Sequence, residues 1–169
     1  MGKHGIRAAS GGVVITATAA LMTGAIVAAP RVPMKPPILC VAGETPLFAC
    51  PVGRKLVAVC SDGHHATYRY GLPGRIELSS TKLTQAMTGY SGGGEVQITA
   101  ASNGYRYTVY DRTVRTNFGP GGNNPAFTSG LIIRKGDKVI SSLRCRGDSS
   151  GVGGAERVIP EGEFLEDDD

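Results

Sequence analysis

The chain has few of the residue types on which catalysis depends. Only three histidines occur in 169 residues. His4 lies in a leader-like N-terminal segment, and His64 and His65 are adjacent in sequence. Residues 29–160, called the body here, contain eight acidic residues. They therefore give little support for a glycosidase carboxylate pair, and no serine lies in a nucleophile motif. The sequence predicts a protein that is not an enzyme and that uses no cofactor.

Metal ligands are also sparse. The four cysteines include no close C-x-x-C pair of the kind that is typical of zinc sites. His64 and His65 follow Asp62-Gly63 on a predicted turn. Neighbouring side chains in extended backbone point to opposite faces, so the histidine pair is a poor chelate. We therefore predict an exposed turn here and no metal site.

Helical periodicity is missing outside the N-terminus. No stretch of ten or more residues keeps a helical period with caps, and only residues 81–87 allow a short helix. Short runs rich in β-branched residues are instead separated by turn signals about every 8 to 12 residues. Asn103-Gly104 is a strong hairpin signal. The sequence predicts an all-β fold, a small antiparallel β-barrel or sandwich of about eight strands closed by two disulfides.

Two stretches interrupt this rhythm. Residues 91–94, Ser-Gly-Gly-Gly, are predicted to be very flexible. Residues 117–129 contain three glycines and two prolines and are predicted to form a long loop. Long loops in compact domains are often functional, so this loop is either part of a site or a tolerated insertion.

The N-terminus has the parts of an export signal in the expected order. Lys3 and Arg7 precede a run of small apolar residues that ends near Ala29. We predict a secretory signal peptide at 1–28, cleaved after Ala28, with an uncleaved membrane anchor as the alternative. Residues 29–38 form a proline-rich spacer, which should be extended. The protein is thus expected to be periplasmic or secreted, and to contact a membrane only if the leader is uncleaved.

The remaining chain divides by composition. Residues 39–146 are predicted to form the β domain, and residues 147–169, rich in glycine, serine and acid, a disordered tail. The body has 16 basic and 8 acidic residues, a net charge of +8, and six acids lie in the last nine residues. Export makes nucleic acid an unsuitable partner. An envelope protein or an anionic glycan suits the basic body better, unless both charges serve only solubility.

Cys40, Cys50, Cys60 and Cys145 allow three disulfide pairings. A hairpin centred near Val52 puts Cys50 close to the turn and Cys60 well down the partner strand. Direct pairing of these two is awkward, because bridged Cα atoms lie within about 7 Å of each other. We therefore favour the pairs Cys50–Cys145 and Cys40–Cys60, both as structural cross-links in an oxidising compartment.

Five short segments spread over the body form a familiar pattern. They are Phe48-Ala49-Cys50-Pro51, Tyr68-Arg69-Tyr70-Gly71, Gly92-Gly93-Gly94-Glu95, Gly104-Tyr105-Arg106-Tyr107 and Leu143-Arg144-Cys145. In these segments the chain resembles a group of uncharacterised secreted proteobacterial proteins. The resemblance covers most of the body and implies export and a β-rich fold, without bringing a function.

A more remote likeness is to the bacterial periplasmic inhibitors of c-type lysozyme, which are small β-barrels. Their S-G-x-x-Y motif and later K-G resemble residues 102–107 and Lys135-Gly136 here. Asn103 separates the serine from the glycine, and Ile133-Arg134 stand where the inhibitors have aromatic residues. C-type lysozymes are typically basic, so a body of net charge +8 would be repelled by them.

The aromatic and basic stripe on the predicted hairpin is the strongest candidate for a binding surface. The candidate ligand-binding residues are Ser102, Tyr105, Arg106, Tyr107 and Lys135. In the alternative interpretation the tyrosines pack in the core and Arg106 is solvated. We expect a non-enzymatic exported binding module with an unknown ligand, with inhibition of a cell-wall hydrolase as its more specific version. The alternatives are an envelope hydrolase built from scattered residues such as Asp62 and His64, and a structural envelope component.

Overall fold

The computed structural model describes residues 1–2, 39–116, 124–147, 149 and 151–166. The chain divides into the units Met1–Met34 and Lys35–Asp169, and all of the described secondary structure belongs to the second. The predicted signal peptide, except for its first two residues, and the spacer lie outside the described residues. No helix in the described ranges is long and apolar enough to cross a membrane.

Nine strands and one 3₁₀ helix make up this part of the chain. The elements are β1 Thr45–Val52, β2 Lys55–Ser61, β3 Ala66–Leu72, β4 Arg75–Ser80, β5 Leu83–Tyr90, β6 Gly93–Ser102, β7 Tyr105–Arg115, β8 Pro125–Lys135, β9 Lys138–Arg144 and the 3₁₀ helix Ala155–Arg157.

The strands form two antiparallel sheets, each a meander in chain order. One sheet has the order β1-β2-β3-β4 and the other β5-β6-β7-β8-β9. Side chains from both sheets, including Phe48 and Tyr68 from the first and Ile98 and Leu131 from the second, form one hydrophobic core. The all-β prediction is confirmed, and of its two versions the structure is the open sandwich and not a closed barrel.

The hairpins follow from their turn residues. Asn103 and Gly104 have φ values of 51° and 77° and join Ser102 to its partner Tyr105, as the Asn-Gly signal predicts. Val52 pairs with Lys55 across the predicted turn between β1 and β2. Short antiparallel connections of this kind fix the register and so decide which side chains face the core.

Both predicted disulfides are present. Cys40 bonds to Cys60, and Cys50 bonds to Cys145, with Cα–Cα distances of 5.4 and 5.6 Å. Cys50 lies opposite Val57 in the register, and Cys60 lies opposite Pro46, which is why Cys50 and Cys60 do not pair with each other. Two disulfides are typical of proteins of an oxidising, exported location.

Three local predictions are corrected by the structure. Residues 81–87 form no helix, because Leu83 begins strand β5. Residues 91–94 are not a free flexible stretch, since Gly93 pairs with both Tyr90 and Val114. The second half of the predicted 117–129 loop is strand, because β8 begins at Pro125, while residues 117–123 lie outside the described residues.

The C-terminal segment also differs from the expected disordered tail. Residues 151–166, named the strap here, pack against the five-stranded sheet. Ala155 and Ile159 are 2% and 3% exposed and belong to the core. The backbone of Gln85 in β5 then bonds to Pro160 and Gly162, which covers the edge of β5. Apolar residues placed among the glycines and acids give this segment enough surface to bury.

Beyond that edge the strap reaches the outer face of the sheet. The side chain of Gln97, 1% exposed, donates to the carbonyl of Leu165 at 2.8 Å and accepts from its N–H at 2.9 Å. Arg134 donates to the carbonyl of Glu166 at 2.7 Å. Glu95, also buried on this face, pairs with Arg112 and accepts from Gln97. The strap therefore covers a row of polar side chains, and its backbone supplies hydrogen-bond partners for two of them, Gln97 and Arg134.

Candidate functional site

The two sheets differ in strand length, and this leaves one end of the larger sheet uncovered. β6, β7 and β8 have 10 or 11 residues, while the strands of the smaller sheet have 6 to 8. At about 3.4 Å per residue the longer strands extend roughly 10 Å further. The core includes the half of the large sheet around Ile98, Val109 and Leu131. Among the described strands, none faces the inner side of the other half.

Two rows of side chains cross this inner face. The strand register gives the rows Met87–Val96–Asp111–Ser129 and Gly89–Gly94–Thr113–Phe127. In the second row two glycines lie directly opposite each other, so β5 and β6 carry no side chain there. The backbone of Gly89 and Gly94 forms the floor of a depression between the larger side chains of Met87 and Phe127.

This floor belongs to an open groove of about 490 Å³. Met87 and Phe127 form its sides and are 75% and 72% exposed. Val96 and Val152 add further apolar surface, and Val152 belongs to the strap. Exposed apolar side chains that converge on one concave surface are typical of binding sites, whereas scattered ones are ordinary.

Asp111 lies where this groove meets a second one of about 440 Å³. Phe127 also lines both grooves, and the second is otherwise polar, with Thr128, Ser129 and Ser149 in its wall. Burial raises the pKa of Asp111 above its ordinary value, and the backbone N–H of Val152, which bonds to its carboxylate, offsets part of this rise. The site thus combines an apolar groove, a polar groove and one carboxyl group between them.

The charge of this surface is opposite to that of the body. Among the described residues that line the two grooves, none is basic. Glu95 also borders the apolar groove, but its side chain is on the opposite face of the sheet, paired with Arg112. Asp111 is therefore the acidic side chain that the described lining of the two grooves presents on the inner face, in a body of net charge +8.

The structure brings four of the five predicted ligand-binding residues together, at the other end of the same strands. Ser102, Tyr105 and Lys135 are direct neighbours in the register. The Lys135 ammonium lies 5.5 Å from the centre of the Tyr105 ring. Tyr105 and Tyr107 have ring centres 6.3 Å apart on this inner face.

The second tyrosine is tied to the core. Tyr107 packs against the core, its ring centre 5.9 Å from that of the fully buried Tyr68. Burial raises the pKa of Tyr107. This geometry agrees with the alternative in which the tyrosines serve packing, although Tyr105 remains half-buried and within reach of solvent.

Arg106 is separated from the other four candidates. It faces the outer side of the sheet, because side chains alternate along a strand. There it donates to the carbonyl of Gly136 at 2.6 Å and to Asp137 at 3.0 Å, and it lies 3.7 Å from Glu163 of the strap. Its surroundings are the β8–β9 turn and the strap, not the tyrosines.

The histidine pair lies on an exposed turn, as predicted. Asp62 accepts the backbone N–H groups of His64 and His65 at 2.8 and 2.7 Å, so its carboxylate closes the turn. These hydrogen bonds lower the pKa of Asp62. The second oxygen of this carboxylate lies 3.7 Å from Nδ1 of His65, and both side chains are exposed.

One cluster in the described residues has the composition of a metal site. Cys40, Cys60 and Glu44 have ligand atoms within 4.8 Å of one another. The two sulfurs are bonded to each other, however, and a metal requires thiolates. Glu44 forms an ion pair with Arg69, which lowers the pKa of Glu44. The cluster is a structural cross-link beside a salt bridge.

Comparisons with protein-family models, with curated proteins and with solved structures find no match to this chain.

The groove around Asp111 was not among the sequence predictions. Met87, Gly89 and Phe127 stand in segments that the sequence analysis assigned to a short helix, to no element and to a loop. The one available signal was the pair Gly93-Gly94 beside an alternating strand, since glycine inside a strand often marks a close approach or a bare surface.

Proposed function

We propose that this protein is a non-enzymatic exported module that binds a segment of another polypeptide in the groove around Asp111. The proposal rests on one observation, the convergence of exposed Met87 and Phe127 on a glycine floor at the uncovered end of the large sheet. Two disulfides agree with work outside the cytoplasm.

The shape of the site favours a polypeptide over a small molecule. Both grooves are open along the sheet surface, and they meet at Asp111 and Phe127. Small-molecule sites usually enclose most of the ligand, whereas an open surface of this kind suits a chain whose side chains enter successive grooves. Exposed aromatic and methionine side chains are also enriched in protein interfaces.

The hydrolase alternative has no comparable support. Asp62 and the two histidines belong to an exposed turn in which the carboxylate already accepts two backbone N–H groups. Inhibition of a cell-wall hydrolase remains the more specific version of the binding proposal, with the hydrolase as the polypeptide that enters the groove.

A groove-filling variant tests the proposal. A Cβ atom at Gly89 would meet no atom within 4 Å, and its φ is not in the left-handed region, so the backbone accepts a side chain there and Gly89→Leu is the filling variant. Dodecamer peptides enriched from a random display library against the exported, oxidised protein serve as probes. We expect Gly89→Leu to weaken their binding at least about ten-fold, which corresponds to roughly 1.4 kcal/mol.

Ser142→Leu is the matched control, since Ser142 is exposed on β9, away from both grooves. It should leave affinity unchanged. The proposal is wrong if the library yields no enriched peptide, or if enriched peptides bind the Gly89→Leu variant as tightly as the natural protein.

A further inference from the structure

The first half of β8 has no strand partner on its β9 side among the residues that the structure describes. β9 pairs with β8 from Gly130 to Lys135, and the N–H of Cys145 then bonds to the carbonyl of Ser129. After Cys145 the chain bonds to Pro51 of β1 instead, through the N–H of Arg146. In the described residues, therefore, no strand continues β9 along the first half of β8.

The direction of the Ser129 carbonyl shows which backbone groups this edge offers. Backbone N–H and C=O groups of one residue point to one side of a strand, and they alternate from residue to residue. Because the Ser129 carbonyl points away from β7, the N–H and C=O of Phe127, two residues earlier, point the same way. Phe127 thus directs a donor and an acceptor to this side of β8, where no described strand pairs with it, next to the polar groove that it lines.

Asp111 can be reached from this edge. Ser129 lies directly opposite Asp111 on β7, and both face inward. A strand added to β8 would lie two strand spacings from β7, about 10 Å. The serine side chain is small, and the wall beyond it is Gly151 and Ser149, so a long side chain could pass over Ser129 to the carboxylate.

We propose that the ligand is an extended polypeptide segment that pairs with the edge of β8 at Phe127 and extends a lysine or arginine side chain over Ser129 to Asp111. This inference rests on the proposed function and specifies its ligand. Strand addition supplies affinity through backbone hydrogen bonds, and side-chain grooves supply specificity. A cationic side chain matches the carboxyl group of Asp111, which faces grooves whose described lining has no basic residue.

The backbone part is tested by an N-methyl scan of an enriched dodecamer. In an added strand alternate peptide N–H groups bond to β8, so methylation should weaken binding with a period of two along the paired residues. We expect a loss of about five-fold at each amide that faces β8 and less than about two-fold at the amides between them, since one hydrogen bond contributes about 1 kcal/mol.

The charge part is tested by a double-mutant cycle. The cationic residue of the dodecamer is replaced by norleucine, which keeps the length of the side chain and removes its charge, and Asp111 is replaced by Asn. Norleucine should weaken binding to the natural protein about ten-fold and binding to the Asp111→Asn variant less than about two-fold. Ser142→Leu again serves as the control protein.

The results separate this inference from the proposed function. Absence of enriched peptides, or insensitivity to Gly89→Leu, overturns both. Enriched peptides that lose affinity for Gly89→Leu, but show no two-residue period or no coupling between their charge and Asp111, leave the binding function intact and overturn the strand-addition inference.

Discussion

Asp111 is a half-buried carboxyl group whose environment disfavours its charge. Burial raises its pKa, and the other described residues that line both grooves are apolar or uncharged except Glu95, whose side chain pairs with Arg112 on the opposite face. A carboxyl group whose pKa is raised in the folded state binds its proton more tightly there than in the unfolded chain. The protein therefore loses stability as pH rises from the ordinary value of 3.8 through the raised folded value.

The raised pKa of Asp111 predicts how Asp111→Asn changes stability. Asparagine keeps an oxygen for the Val152 N–H but carries no charge, so the variant should have a higher free energy of unfolding than the natural protein near pH 7. Below both pKa values, near pH 3, the advantage should vanish. Urea unfolding at the two pH values measures the difference, and a variant that is less stable at neutral pH would contradict the assignment of Asp111.

Glu44 provides a control of opposite sign. Arg69 donates to its carboxylate and lowers the pKa of Glu44 below the ordinary 4.5. Its contribution to stability is present above that value and is lost as pH falls through the folded pKa. Glu44→Gln should therefore be less stable than the natural protein near pH 7 and lose this difference in acid. The two variants together show whether each carboxyl group experiences the surroundings described here.

At the scale of elements, a side chain of the sheet holds the strap by hydrogen bonds to the strap backbone. Gln97 bonds to both the N–H and the carbonyl of Leu165. Gln97→Ala leaves these buried groups without their partner, so we expect a loss of about 2–3 kcal/mol in the free energy of unfolding. Gln85→Ala is the control, because Gln85 bonds to the strap through its backbone alone and should cost less than about 1 kcal/mol.

Chemical denaturation measures both variants. Equal destabilisation by the two alanines would mean that the Gln97 side chain does not hold the strap. A loss at Gln97 well above that at Gln85 would agree with the geometry.

Much of the sheet architecture could be predicted from local sequence, and the strap and groove could not. Asn103-Gly104 and the alternating runs beside it fix a hairpin by local chemistry alone. The strap has no periodic pattern, and its apolar residues become buried only because β5 and β6 already present a surface to them. The groove depends on a difference in length between two sheets, which follows from where β8 begins and not from any motif.

At the scale of the whole molecule, the disulfides are unequal. Cys50–Cys145 links residues 95 apart and ties the first strand to the segment after the last, whereas Cys40–Cys60 links residues 20 apart. In the chain-entropy model these loops are worth about 4.7 and about 3.3 kcal/mol. Replacing Cys50 and Cys145 by alanine should therefore cost more stability than replacing Cys40 and Cys60.

Denaturant unfolding of the two double variants tests this ranking. The larger cost of the long-range pair is reinforced by burial, since Cys50 belongs to the central core and Cys60 to a smaller cluster. An equal or reversed order would show that the Cys50–Cys145 disulfide does not contribute more to the free energy of unfolding than Cys40–Cys60 does.

The central claim, that the molecule binds its ligand at the uncovered end of the large sheet, is tested most directly by hydrogen–deuterium exchange with an enriched dodecamer. We predict slower exchange in the first half of β8, around Phe127, and in the neighbouring segment around Val152. Protection confined to the opposite end of these strands, around Tyr105 and Lys135, would contradict the claim and favour the surface predicted from sequence.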